Sequence, residues 1–226
     1  GYVKQNGDIG KLPHAWNAAK IDGNWFLFDP TWGAGHMMND RYREFFTEDY
    51  FKIEPEMMIK SHMPFDYLFQ FLSYPTGHFA FEKGKYRPDS TFFIDYKHEI
   101  DFYRSLPEDQ QVVASMARVK KLGIANSMIR GYYSNLNQQH RVHLANQQVD
   151  LHNKAIDMFN EVVDDYNIYV NMMNARGGRF PEDTTEIENL LLTLEQNALE
   201  VNAIFKTIDP PMRLAQTIAK NQEILG

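Results

Sequence analysis

Asp22-Gly23 stands between two short strand-like runs, and no other feature restricts the fold as tightly. Asp-Gly is a strong two-residue turn signal, so residues 14–21 and 24–29 are predicted to form an antiparallel β-hairpin. With a two-residue turn, Ile21 pairs with Asn24 and Trp16 falls opposite Asp29. His14 lies two residues from Trp16, shares its face, and becomes a diagonal neighbour of Asp29. Diagonal neighbours sit roughly 7–8 Å apart at the backbone, within reach of an imidazole and a carboxylate. A slip of one residue would turn Asp29 to the other face and separate the two. The plainer alternative is an incidental surface histidine beside a turn-forming Asp29-Pro30.

The rest of the chain falls into two patterns. Up to about residue 104 it is rich in aromatic residues and turns, and reads as mixed α and β. A short helix is expected over residues 56–62, ended by Pro64, and a helical turn over 67–72, closed by Pro75. Phe79 and Phe81 alternate as in a strand, and residues 91–95 offer another. From Ser105 the pattern turns helical. Ser105-Leu106-Pro107-Glu108 reads as a capping box with proline in the first turn. A helix is then expected over 107–133, broken near Gly123 or Gly131. Ala155, Phe159, Val162, Tyr166, Tyr169 and Met173 recur at spacings of three and four, as do Ile187, Leu191, Leu194, Ala198, Val201, Phe205 and Ile208. Gly177-Gly178 and Pro181 separate the two runs, Thr185 with Glu188 forms a second capping box, and the two pack as an antiparallel hairpin. A short last helix should follow Pro210-Pro211. The fold class is therefore α+β, with domains at 1–104 and 105–226.

Composition removes several functions. Lys and Arg number 23 against 30 Asp and Glu, a net charge of -7, so the basic footprint of a nucleic-acid binder is missing. No apolar run approaches the roughly 20 residues of a membrane span. There is no cysteine at all, which excludes disulfides, thiolate metal sites and a cysteine nucleophile within these 226 residues. The chain opens at Gly1 without an initiator Met or a signal peptide, as a piece of a longer polypeptide would.

His14-Ala15-Trp16-Asn17, the turn, and then Asp29-Pro30-Thr31-Trp32-Gly33-Ala34-Gly35 resemble the His and Asp motifs of the transglutaminase-like superfamily in order and spacing. Tyr50-Phe51, Pro55-Glu56, Ser61-His62-Met63-Pro64 and Phe69-Gln70-Phe71-Leu72 resemble the segment that follows the Asp motif in bacterial members. The resemblance covers roughly residues 1–80. It implies a partial papain-like domain whose Cys, His and Asp triad performs acyl transfer from amides through a thioester. On that analogy His14 is the general base and acid, Asp29 orients it, and Trp16, Asn17 and Trp32 shape the cleft. The family's cysteine lies upstream of its His motif, at the start of a helix, where the helix N-terminus and an imidazolium lower a thiol's pKa. That cysteine is absent from this chain, so the chain alone is predicted inactive.

The resemblance thus implies a cysteine peptidase or amide hydrolase acting on a peptide or protein, with hydrolysis favoured over crosslinking. The alternative is a degenerate, non-catalytic scaffold whose helical domain binds a protein or cell-envelope partner. No cofactor and no metal are expected; His140, His143 and His152 read as a solvated helix face. His36 and His62, near the candidate cleft in sequence, could line it but are favoured as structural or surface residues. The missing N-terminal part of the same domain would be a partner, the helical domain could support an oligomer, and an extracytoplasmic setting fits the lack of cysteine.

Overall fold

A computed structural model of the chain describes residues 1–38, 41–86 and 90–208. The fold is α+β: among the described residues there are seven short strands, and helices of which the longest spans Ser127–Ala175. Two compact units divide at residue 141, Gly1–Arg141 and Val142–Gly226.

In the first unit, β1 (Tyr2–Gln5) pairs with β2 (Asp8–Ile9) through a turn at Asn6-Gly7. β3 (Asn17–Ile21) and β4 (Asn24–Phe28) form the expected hairpin in the expected register, with Ile21 opposite Asn24. Pairing ends at Asn17 and Phe28, however, so residues 14–16 and Asp29 lie outside the strands and Trp16 is not paired with Asp29. Asp22 and Gly23 both have positive φ, 48° and 80°, the type I′ geometry that matches the right-handed twist of paired strands. α1 (Pro30–Ala34) follows at once, then a second hairpin of β5 (Gly35–Met38) and β6 (Arg41–Glu44), and α2 (Pro55–Met58). β7 (His62–Met63) returns to lie against β1, pairing Met63 with Tyr2 and His62 with Val3. A 3-10 turn over Tyr67–Gln70, α3 (His78–Glu82), α4 (Tyr96–Ser105) and α5 (Glu108–Leu122) complete the run up to α6 (Ser127–Ala175).

Two apolar clusters hold this unit together. In one, Tyr2, Met63, Phe65 and Phe81 meet Val112 and Val119 of α5 and Ile129 and Leu136 of α6. In the other, Leu27, Met58, Tyr67, Leu68 and Phe71 meet Ile94 and Ile100. Each wholly buried aliphatic or aromatic side chain contributes roughly 1.5–3 kcal/mol relative to an exposed one. β1, β4 and β7 supply residues to these clusters, so the elements that frame the hairpin are fixed by packing.

The second unit pairs the latter part of α6 with α7 (Thr185–Thr207) around Ala155, Val201, Phe205 and Ile208. Ala155, Val162, Ile187, Val201, Phe205 and Ile208 of the two expected seams are buried, while Tyr166 and Leu191 are exposed. Among the described residues no helix is long and apolar enough to cross a membrane.

Several local expectations are corrected. Phe79 and Phe81 lie in α3 and not in a strand. Phe81 is fully buried and Phe79 is 58% exposed, as two residues about 200° apart on a helix should be. Residues 92–95 are irregular, and the helix expected over 56–62 is only α2, because His62 and Met63 turn to pair with β1. Ser105 ends α4 and bonds the Phe102 carbonyl, while α5 is capped at Pro107 without a side-chain bond. The helical break falls at Gly123, whose φ of 87° ends α5, whereas Gly131 lies inside α6. At the start of α7 the cap is Thr184, whose hydroxyl donates to Glu188 at 2.6 Å. The helix expected after Pro210-Pro211 lies outside the described residues.

Candidate active site

Asp29 leaves the end of β4 and caps α1. Its Oδ1 accepts the backbone N–H of Thr31 at 2.9 Å and of Trp32 at 3.1 Å, which satisfies two donors of the first turn. Pro30 supplies a preset φ at the start of the same helix. The Asp29 main chain is fixed as well: its N–H donates to the Tyr50 carbonyl, and next to it Leu27 and Ile53 exchange both backbone bonds. The carboxylate is wholly buried.

His14 sits just before β3, its N–H bonded to the Gly1 carbonyl. Its Nε2 lies 2.6 Å from Asp29 Oδ2. The ring is 18% exposed against none for the carboxylate, so the pair lies at the wall of a cleft with the imidazole toward solvent. With Nε2 taken by Asp29, Nδ1 is the nitrogen that can accept a proton from an incoming group.

A second histidine meets the same oxygen. His62 Nε2 lies 2.9 Å from Asp29 Oδ2, and its Nδ1 lies 2.8 Å from the Ser61 hydroxyl. The His62 ring is fully buried. Trp16 packs on it edge-on at 5.0 Å and Trp32 at 4.7 Å, and both indoles flank His14 at about 6 Å. Asp29 therefore receives four donors, two on each oxygen.

Burial by itself would push the Asp29 carboxyl up. The bonds from His62, His14 and the Trp32 N–H outweigh it and hold the carboxyl down at about 2. Asp29 is thus ionised throughout the neutral range. His62 is lowered too, but by its burial, which disfavours the charged form and outweighs Asp29 beside it.

His14, Asp29 and His62 are also the one group of three potential metal ligands among the described residues, with ligand atoms within 4.8 Å of one another. The distances argue for hydrogen bonds. Donors around a shared ion at about 2.0–2.2 Å stand roughly 3.3 Å apart in tetrahedral geometry, whereas both nitrogens here approach one oxygen at 2.6 and 2.9 Å. The trio would have to spread before it could hold an ion.

The cleft at His14 measures about 280 Å³ and is lined by Trp16, Asn17, Leu27, Phe65, Phe69 and Tyr132, among others. Trp16 and Asn17 therefore border it, and Trp32 instead packs against both imidazoles and donates its main-chain N–H to Asp29. A second, largely apolar cavity of about 330 Å³ lies at Asp29, bounded by Phe28, Pro30, Phe46, Tyr50 and Phe51. Sequence reasoning puts His62 near the cleft but favours a structural or surface role, and does not pair it with Asp29. The signal was its place in Ser61-His62-Met63-Pro64, but the strand pairing that brings it to Asp29 joins residues about sixty positions apart.

No family model matches the chain, and no solved structure matches it. Curated proteins do. Kyphoscoliosis peptidase of Homo sapiens is 33% identical over 88 residues, which is 38% of this chain and 13% of that protein, and its Mus musculus counterpart matches to the same extent. The LIM and transglutaminase domain protein ltd-1 of Caenorhabditis elegans is 28% identical over 112 residues, 42% of this chain and 16% of its own length. These names indicate a transglutaminase-like relationship over about two fifths of the chain. The chain spans roughly an eighth to a sixth of the length of these relatives.

Proposed function

We propose that this chain is the His- and Asp-bearing part of a transglutaminase-like cysteine peptidase or amide hydrolase. The transglutaminase-like portion lies within residues 1–104. Of the helices from residue 105 onward, α5 and the first turns of α6 close its core, while the rest belong to the second unit. The observation that carries the reading is the 2.6 Å bond between His14 Nε2 and a buried, ionised Asp29, set at the wall of a cleft with Nδ1 unclaimed by that bond. The peptidase and transglutaminase names of the relatives support it.

The nucleophile in this reading is a cysteine outside these 226 residues, which contain none. His14 Nδ1 takes the thiol proton as sulfur attacks the amide carbonyl carbon, and Asp29 stabilises the imidazolium that results. The C–N bond then breaks, the imidazolium returns the proton to the leaving amine, and a thioester remains. Water, deprotonated by His14, releases the acid and frees the thiol. Trp16 and Trp32 hold the imidazole plane, and Asn17 borders the cleft that receives the substrate.

The test is thiol labelling of the longer parent polypeptide with iodoacetamide across a pH series, with the adduct mapped by mass spectrometry. One upstream cysteine that alkylates quickly below pH 7, and slows in His14→Ala, supports the enzyme. A parent without any such cysteine leaves the second reading, a non-catalytic scaffold whose helices bind a protein or cell-envelope partner. Tyr166, Leu191 and Leu199 favour that reading locally, since they line an open groove on the helical unit.

A further inference from the structure

Asp29 Oδ2 receives two imidazoles, and a His, Asp pairing needs only one of them. His62 could be core filler, yet an apolar side chain would fill its place among Trp16, Trp32 and Tyr50 without needing two polar partners. Instead both ring nitrogens are engaged: Nε2 with Asp29 and Nδ1 with the Ser61 hydroxyl. The backbone is held too, by the pairing of His62 with Val3.

We propose that His62 is a positioning residue of the site, a neutral Nε2–H imidazole that donates to Asp29 Oδ2 and so fixes the oxygen on which His14 turns. The inference rests on the function proposed above for what the positioning serves, and on the geometry alone for the hydrogen-bond chain. The chain runs from the Ser61 hydroxyl to His62 Nδ1, and from His62 Nε2–H to Asp29. The opposite tautomer would aim an imidazole lone pair at a carboxylate oxygen 2.9 Å away, two acceptors facing each other in a buried site. The lowered pKa of His62 agrees, since burial keeps the ring uncharged.

Its effect follows from counting lone pairs. A carboxylate has about four acceptor sites. Oδ1 is tied to the main chain of α1, which sets the plane of the carboxyl and with it the position of Oδ2 and its two lone pairs. His62 approaches from the wholly buried side and His14 from the cleft side. With His62 in place, one acceptor site of Oδ2 is taken, and the His14 ring is left the one on the cleft side. Without it, the ring can turn to either.

The experiment has two arms. In the first, this chain is labelled with ¹⁵N-histidine and the ring nitrogens are assigned by NMR at neutral pH. The expected result is His62 neutral with its proton on Nε2, protected from exchange, and a low-field Nε2–H for His14 that shifts or broadens in His62→Leu. The proton on Nδ1, a doubly protonated ring, or a His14 resonance unmoved in a folded His62→Leu would each overturn the proposal. The tautomer is read on the unsubstituted chain, so the proposal is tested even where the variant does not fold. In the second arm, the parent polypeptide is alkylated with iodoacetamide at fixed pH. His62→Leu is expected to slow the thiol about 10–100-fold, the scale seen when residues supporting a site are removed. His62→Gln, which keeps an amide donor, should recover most of it, and equal rates in wild type and His62→Leu would overturn the positioning role. If His14→Ala also leaves the rate unchanged, it is the enzyme reading that fails, and the ring tautomer still decides the hydrogen-bond chain.

Discussion

Four donors converge on one buried carboxylate, which makes Asp29 the residue where structure and proposed chemistry are hardest to separate. Asp29→Asn cannot satisfy them all. One of its two heavy atoms becomes a donor, and either the α1 N–H groups or the two imidazoles then face another N–H. Each buried group left without a partner costs about 1–3 kcal/mol. The expected outcome is a lower urea midpoint together with a loss of thiol reactivity in the parent of about 10³–10⁴-fold, the scale of removing the orienting carboxylate from a triad. Unchanged stability would mean that the carboxylate is not so placed.

The same residue gives a pH dependence with a definite sign. Its carboxyl is held at about 2 when folded, below an ordinary 3.8, so ionised Asp29 stabilises the fold fully above pH 4 and that contribution is lost from pH 4 down to 2. His78 acts in a higher window. It is buried between the Tyr2 hydroxyl and the Phe65 carbonyl, and burial lowers it from 6.5 to about 4. The unfolded chain takes up a proton that the folded one refuses, so stability should fall as pH drops from 6.5 to 4. The slope for one such group is at most about 1.4 kcal/mol per pH unit. Urea midpoints from pH 7 to 4 should therefore decline in the wild type and decline less steeply in His78→Asn, where buried His62 still contributes. A slope identical in both would assign the decline to other groups.

At the scale of elements, the most legible part was the hairpin. Asp22-Gly23 carries its own turn geometry and the register follows from turn length, while the His14 and Asp29 contact forms just beyond the last paired residues, Asn17 and Phe28. The long helical seams were legible for a similar reason, since their period repeats often enough to be read. Elements of four or five residues were not. α3 contains two phenylalanines two apart, a spacing that a strand and a single helical turn share, and only burial separates them. β7 has two residues and exists because β1 offers it partners. The pairing of His62 with Asp29 was missed with it.

The ion pair between Arg118 and Asp66 was equally illegible, and it ties α5 to the cleft. Arg118 Nε lies 2.8 and 2.9 Å from the two Asp66 oxygens, while Asp66 caps the 3-10 turn that carries Phe69. Both side chains are nearly or fully buried. Removing one partner strands the other charge, at about 3–5 kcal/mol. Arg118→Met should therefore lower stability by that amount at pH 7, and Arg118→Met with Asp66→Asn by less than the sum of the two single changes. Additive losses in that double-mutant cycle would mean the pair is not coupled.

For the whole molecule, the division near residue 141 separates the functional question from the structural one. Both clusters that frame His14, Asp29 and His62 draw only on residues before 141, with α5 and the first turns of α6 closing one of them. The third cluster, of Ala155, Val201, Phe205 and Ile208, lies wholly in the other unit. Domains fold as units when each has its own core. A chain ending at Arg141 should therefore unfold in one cooperative transition, with its urea midpoint falling from pH 6.5 to 4 as in the whole chain, because His62 and His78 keep every neighbour they have. The dependence should also weaken in the same way with His78→Asn, leaving the part that buried His62 contributes. If residues 1–141 instead melt without a cooperative transition, α7 and the latter part of α6 are required to hold the site. The helical domain would then serve the proposed chemistry as a support, and the scaffold reading would lose its reason for treating those helices as a separate binding module.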